Sequence, residues 1–237
     1  MNPSDIRIIA LAVPHFNRPD FLQACLHNVL EDPRVAEIVV SDDCSQPSDY
    51  RKVLDLFGWV KKIRIFRNAK NQDCYRNKKL AVERATLPWV ILFDDDNVMP
   101  KAYVDTLFAL PAWHEDTVYC PEFAEPHFDY RAFAGLKVSR TSVARLCPRP
   151  NFFTALNTAN YFFHRPTWLS VWDGMVDPHT ADSIYQAYRL LDAGKKLAIV
   201  PGLRYFHRVH SGSHYKQNVH LTGDFARQVE QKLKEMR

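Results

Sequence analysis

The sequence predicts an α/β fold, a mostly parallel central sheet flanked by helices with a small subregion on one side. Three observations predict it. Short apolar, β-branched runs at 6–13, 36–40, 62–66 and 90–93 alternate with stretches of helical spacing, which implies parallel strands joined by right-handed crossovers. The strand-like runs are too apolar for a sheet with one wet face and read as strands covered on both sides. The chain of 237 residues, 46% hydrophobic and 24% charged, also has the mass for a sizeable core.

The first strand is the run 6–13, closed by Pro14. Asn17-Arg18-Pro19-Asp20 opens a helix with proline in its first turn. Phe21, Leu22, Cys25, Leu26, Val29 and Leu30 then fall on one face, until Asp32-Pro33 stops it. The second strand, 36–40, runs out into Ser41-Asp42-Asp43-Cys44-Ser45. A helix over 50–57, a third strand over 62–66, a polar loop at 68–75 and a helix over about 77–85 follow.

The stretch WVILFDDDNVMP, residues 89–100, is the centre of the pattern. Val90 to Phe93 form a buried strand that ends on Asp94, Asp95 and Asp96, with Asn97 and Pro100 as breakers. Three adjacent carboxylates repel one another unless a cation sits beside them. Ligands of α/β sheets bind at the carboxyl ends of strands, and Mg²⁺ is commonly held there by one or two carboxylates plus substrate phosphates. The acids therefore read as a metal–diphosphate site; the alternative is a solvated turn capping the next helix.

From 111 to 155 five prolines, Pro111, Pro121, Pro126, Pro148 and Pro150, punctuate a stretch that reads as irregular. Its aromatic and basic residues suit a flap over a ligand, or a plain connecting excursion. A strand over 157–163, a helix over 180–193 ended by Gly194, and short strands at 197–200 and 203–206 complete the sheet. The tail, 222–237, is an amphipathic helix with Phe225, Val229 and Leu233 on one stripe; its basic residues allow contact at a membrane surface. The division expected is one domain: a nucleotide-binding half (1–100), an acceptor half (101–221) and this terminal helix.

Several classes are disfavoured. Five cysteines without a CxxC pair argue against a disulfide framework or zinc site, and for a reducing, cytoplasmic setting. A net charge of +4 without dense basic runs does not suit nucleic acid. No apolar run approaches a bilayer span, and with seven glycines the dinucleotide fingerprint is absent.

Other residues extend the site. A carboxylate at Asp42 or Asp43 can accept hydrogen bonds from a nucleobase or ribose. Arg76, Lys78 and Lys79 stand where a polar loop enters a helix, which suits a diphosphate or a solvated basic face. Asp182, near a helix start, can take a proton from an attacking hydroxyl, or be an ordinary first-turn acid. His207, His210 and His214 offer imidazoles to a metal shell.

With these residues in view, the chain resembles the inverting family 2 glycosyltransferases of the GT-A (Rossmann-like) fold. IIALAVPHFNRPDFLQACLHNVL with IVVSDDCS is similar to that family's nucleotide pocket, DCYRNKKLAVERATLPWVILFDDDN to its Arg-Asn pair and DxD strand, and WDGMVDPHTADSIYQAYRLLDAGKKL to its acceptor segment. The resemblance implies a donor site at Pro14, Asn17, Asp42, Asp43, Arg76, Lys79, Asp94 and Asp95. It implies Mn²⁺ or Mg²⁺ on Asp94, Asp96 and His207, and Asp182 as catalytic base. Its implied reaction moves a sugar from a UDP- or GDP-sugar to a glycan or lipid-linked hydroxyl. Other readings are a nucleotidyltransferase on a related sheet and a non-catalytic sugar-binding domain. Ala181 stands where the family carries Glu, and Asp73-Cys74 where it carries Gly.

Overall fold

A computed structural model describes residues 7–156, 159–175, 181–210 and 214–236. Ile6, Asn157, Asp177 and Thr180, named in the expectations above, lie outside the described residues, as does the side chain of His214. The first half follows the predicted alternation: β1 (Ile9–His15), α1 (Pro19–Leu26), β2 (Val35–Asp42), α2 (Pro47–Phe57), β3 (Ile63–Arg67), α3 (Cys74–Arg84), β4 (Trp89–Leu92) and α4 (Lys101–Phe108). These strands lie in the order β3-β2-β1-β4, all parallel. Their carboxyl ends, and the loops that follow them, therefore share one edge.

The second half contains β5 (Thr117–Glu125), β6 (Phe128–Asp129), β7 (Lys137–Val138), α5 (Arg140–Leu146), α6 (Phe152–Leu156), β8 (Tyr161–His164), α7 (Arg165–Ser170), α8 (Asp182–Asp192), β9 (Lys196–Phe206) and α9 (His214–Glu235). It extends the same sheet as β4-β8-β5-β9-β7, with β8 antiparallel to β4 and β5, and β5 parallel to β9. Six of the nine described strands point one way.

Three expectations on element bounds need correction. The stretch 111–155 is not irregular, since the nine-residue β5 runs between β8 and β9 inside the sheet. Pro121 is tolerated there because the ladder to β9 is interrupted between Pro121 and Phe123. The strands expected at 197–200 and 203–206 are one strand, kinked at Pro201-Gly202. Across the kink β9 advances from Val200 to Arg204 while β5 advances only from Pro121 to Phe123, and Gly202 (φ +79°) supplies the left-handed turn. Finally, α1 stops at Leu26 rather than Asp32, and turns carry Val29 back into the core.

Side chains alternate between two helical layers. Ile9, Leu11, Val13, Ile38, Val40, Ile91 and Phe93 pack with α1, α2 and α4. Ala10, Ala12, Val39, Val90 and Leu92 pack with α3, α7, α8 and α9. The small residues on the second face admit the larger side chains of α3 and α8, which bear on the site. On α9, Val229 and Leu233 are buried and Phe225 meets Tyr185 at 5.5 Å, so its apolar stripe is covered by the protein itself. No helix among the described residues is long and apolar enough to cross a membrane.

The turn before β2 gives a test of acid stability. Asp32 accepts hydrogen bonds from the Arg34 backbone N–H (3.0 Å) and guanidinium (2.6 and 2.9 Å). The Arg34 side-chain bonds hold its carboxyl below the usual carboxylate range. A carboxylate depressed in the folded state stabilises above its unfolded pKa of about 3.9 and loses that contribution as pH falls through the lower folded value. Asp32→Asn should therefore lower the urea midpoint at pH 6, with the gap to wild type closing below about pH 4.

Candidate active site

The triple-Asp run forms the turn that leaves β4, closed by the Asn97 N–H on Asp94 O at 3.3 Å, and its acids part in direction. Asp95 turns inward and its side chain is 2% exposed, while those of Asp94 and Asp96 stay open at 26% and 20%. Asp95 is thereby an anchor: its Oδ2 lies 2.7 Å from His15 Nδ1 and its Oδ1 3.4 Å from Arg18 Nη2. Asp94 and Asp96 face the cleft. The backbone N–H of Asp94 donates to Asn160 Oδ1 at 2.7 Å, which ties the turn to the start of β8.

Two buried or half-buried cations meet these acids. Lys78 lies on the buried side of α3, its Nζ 3.2 Å from Asp94 Oδ1 and 2.8 Å from Asp182 Oδ2. Burial would lower the Lys78 pKa, but Asp182 and Asp94 outweigh it and hold the ammonium well above its ordinary range. Arg18 donates from Nη1 to Asp96 Oδ2 at 2.9 Å. Desolvation in the cleft, with Asp96 and Asp182 close by, pushes Asp94 up to about 6 despite Lys78. Four carboxylates against two fixed cations leave the cluster short of positive charge.

Asp182 opens α8, is buried, and receives Lys78 and the Cys74 thiol on the same oxygen, Oδ2. Its Oδ1 has no hydrogen-bond partner among the described residues. Asp94 and Asp182 are thus held by one ammonium.

At the end of β2, Asp42 is fully buried, with Ser45 N–H and Arg67 at 3.2 and 3.6 Å from Oδ2. Asp43 accepts from Asn68 Nδ2 and the Gln72 N–H, both at 2.8 Å, while burial raises its carboxyl. Pro14 is buried opposite Ser41. Asn17 (φ +55°) joins the loops after β1 and β2, donating to Ser45 Oγ and accepting from Gln46 N–H. Among the described residues, three buried side-chain atoms lack a partner: His15 Nε2, Asp42 Oδ1 and Asn160 Nδ2. All three belong to residues at this one edge, which is what a site missing its ligand presents.

Three candidates stand differently from the rest. Lys79 turns away from the acids and pairs with Glu83 at 2.7 Å. Arg76 is exposed in the first turn of α3, with no ion pair among the described residues. His207 has its N–H bonded to Glu125 O and its Nδ1 3.0 Å from His127 Nδ1, so it is pinned to the β5 side. Three residues on, His210 Nε2 lies 3.1 Å from Asp96 Oδ2. Sequence reading thus passed over His15, Arg18, Asn160 and the contact made by His210.

Among the described residues no three His, Cys, Asp or Glu side chains form a complete metal shell. A two-ligand set does fit an ion finished by phosphate oxygens and water. The 3.1 Å between Asp96 Oδ2 and His210 Nε2 is close to the roughly 3.0 Å spanned by adjacent octahedral ligands about 2.1 Å from Mg²⁺. The shortage of positive charge at Asp94 points the same way.

Residues 10–158 match the family model described as Glycosyl transferase family 2. No curated protein matches the sequence. Among solved structures, the chain is similar to S. aureus TarS 1-349 in complex with UDP-GlcNAc (12% identity, 97% of this chain and 67% of that one, TM-score 0.73). It is also similar to GalNAc-T7 with UDP, GalNAc and Mn²⁺ (17%, 86% and 44%, 0.64). A third is the mannosyltransferase PcManGT from Pyrobaculum calidifontis in complex with GDP-Man and Mn²⁺ (16%, 90% and 60%, 0.59). At these identities the likeness is one of fold, and the fold is GT-A.

Proposed function

The chain belongs to glycosyl transferase family 2, and on that premise we propose that it moves a sugar from a nucleotide-diphosphate sugar to a hydroxyl of a glycan or lipid-linked acceptor, inverting the anomeric centre. The observation that carries the reading is the Lys78 bridge, one ammonium 3.2 Å from Asp94 and 2.8 Å from Asp182, which suits a donor-side acid and an acceptor-side base sharing a single cleft.

Asp42, with its free Oδ1, and Asp43 accept hydrogen bonds from the nucleoside; Pro14 and Asn17 shape that pocket. Arg76, exposed at the helix start and without an ion pair among the described residues, reaches the diphosphate, a role that suits it better than Lys79, which pairs with Glu83. Asp94 and Asp96 would hold Mn²⁺ or Mg²⁺, with His210 rather than His207 as the imidazole beside Asp96. Bound there, the ion supplies Lewis-acid neutralisation of charge on the departing nucleotide diphosphate. Asp95 fixes the turn that presents the two outer acids. Asp182 Oδ1 takes the proton of the acceptor hydroxyl, whose oxygen attacks the anomeric carbon from the face opposite the leaving group. Lys78 holds the other oxygen, Oδ2, at 2.8 Å. UDP- and GDP-sugars are the donors that the neighbouring complexes suggest.

Thermal melting against UDP, GDP and their sugars, with and without Mn²⁺, tests the donor site. A ligand at a hundredfold excess over Kd adds about 2.7 kcal/mol, on the order of 5–10 °C in Tm for a chain of this length. The expected result is a shift from one nucleotide only with metal, absent in Asp96→Ala, and release of the nucleoside diphosphate on adding acceptor. Pyrophosphate formed from a triphosphate, or no shift with any nucleotide, would overturn the reading.

A further inference from the structure

Arg18 is not absorbed by the chemistry above, yet it occupies the centre of the cleft. Its Nε donates to Phe16 O at 3.2 Å, and its Nη2 stands 3.4 Å from Asp95. Its Nη1 touches both halves of the candidate metal pair, at 2.9 Å from Asp96 Oδ2 and 3.3 Å from His210 Nε2. One cationic nitrogen thus already sits against the oxygen and nitrogen that an ion would use.

We propose that Arg18 is the resident cation of this site and a gate on it. In the nucleotide-free protein it fills the Asp96–His210 pair, and it yields that pair when a nucleoside diphosphate arrives with its divalent ion. The ion therefore binds together with the nucleotide, not ahead of it. This rests on the donor-site reading given above.

Two features make Arg18, not Lys78, the group that moves. The Lys78 side chain is 7% exposed and bonded at both ends of the cleft, so it has no aqueous exit. The Arg18 side chain is 26% exposed, so its head has a route to water while its root is fixed. Asn17 holds the root through two hydrogen bonds, and Pro19 begins α1 immediately after it. A divalent ion and a guanidinium cannot share one oxygen–nitrogen pair without strong repulsion. A diphosphate offers the displaced guanidinium a planar, bidentate partner within the same cleft, and so makes the exchange favourable. Nucleotide and ion each lower the cost of binding the other, which is reciprocal coupling between two ligands.

The test is Mn²⁺ binding by the full chain, read from the free-ion EPR signal, without and with UDP or GDP. Wild type should bind Mn²⁺ weakly alone and tightly with the nucleotide. Arg18→Gln should bind Mn²⁺ alone about tenfold to a hundredfold more tightly, the scale for removing one charge a few Å away. With nucleotide present it should lose part of the wild-type affinity. Arg208→Gln removes a charge from a side chain stacked on Phe21, whose ring meets His210 at 5.0 Å, and so gives the effect of a nearby charge that does not touch Asp96, expected at no more than a few-fold. Arg18→Lys, which keeps the charge, should stay near wild type and guards against a fold defect in the Gln variant. Equal Mn²⁺ affinities for Arg18→Gln and Arg208→Gln, with binding still lost in Asp96→Ala, would overturn the gate and leave the donor site standing. No Mn²⁺ binding by any variant, with or without nucleotide, would overturn both.

Discussion

Asp182→Asn should lower kcat by about a thousandfold, within the 10²–10⁴ that a positioned general base contributes, while leaving the metal-dependent nucleotide shift in Tm intact. The substitution keeps the shape of the side chain and keeps an oxygen for Lys78 at the 2.8 Å position, so the cleft stays assembled. What it removes is the carboxylate lone pair on Oδ1, the oxygen with no partner among the described residues. The proposed donor site lies on the other side of Lys78, around Asp94 and Asp96, and does not draw its contacts from Asp182. The split between the two readouts is the point of the measurement. A kcat within tenfold of wild type would remove Asp182 from the base role. A matching loss of nucleotide binding would make it a structural part of the donor pocket instead.

Much of this site could be read from the sequence, and the gaps have physical causes. Strand runs ending in acids placed Asp42, Asp43 and the triple Asp on one edge, because parallel strands must present their carboxyl ends together. Lys78 had a readable signal too. Tyr75, Lys78 and Val82 fall three and four apart on the buried stripe of α3, and a lysine on such a stripe needs a carboxylate to meet. Arg76 and Lys79 fall off that stripe. The rest depended on long-range geometry. Arg18 and His15 reach Asp95 and Asp96 across roughly eighty residues of chain, and nothing local to either segment encodes the contact. His210 replaces His207 at Asp96 because a backbone bond from His207 to Glu125 and another from Arg208 to Asn97 set the path of the chain after β9. The strand β5 was hidden by Pro121, whose breaker character is cancelled by a ladder interruption that only the pairing with β9 creates.

Lys78→Met should be the most damaging single change to stability, costing about 3–5 kcal/mol, because it removes the cation from a buried pair and leaves charge behind. Methionine fills nearly the same volume, so the loss is electrostatic rather than a cavity. Asp94, already pushed up to about 6, would face Asp182 with no ammonium between them. Two partial rescues follow from that cause. Adding Asp182→Asn to Lys78→Met should recover part of the loss, giving a coupling energy in the double-mutant cycle that two independent sites would not show. Adding Mn²⁺ with nucleotide should recover more stability in the variant than in wild type, since a bound divalent ion supplies the charge that Lys78 no longer does. Urea unfolding at pH 7 in EDTA, and again with Mn²⁺ and UDP or GDP, measures all three. Were Lys78→Met to unfold like wild type in EDTA, the ammonium would not be what holds the donor and acceptor acids in one cleft. Were the loss real but indifferent to both rescues, it would come from packing along α3, and the charge shortage that argues for a bound ion would lose its main support.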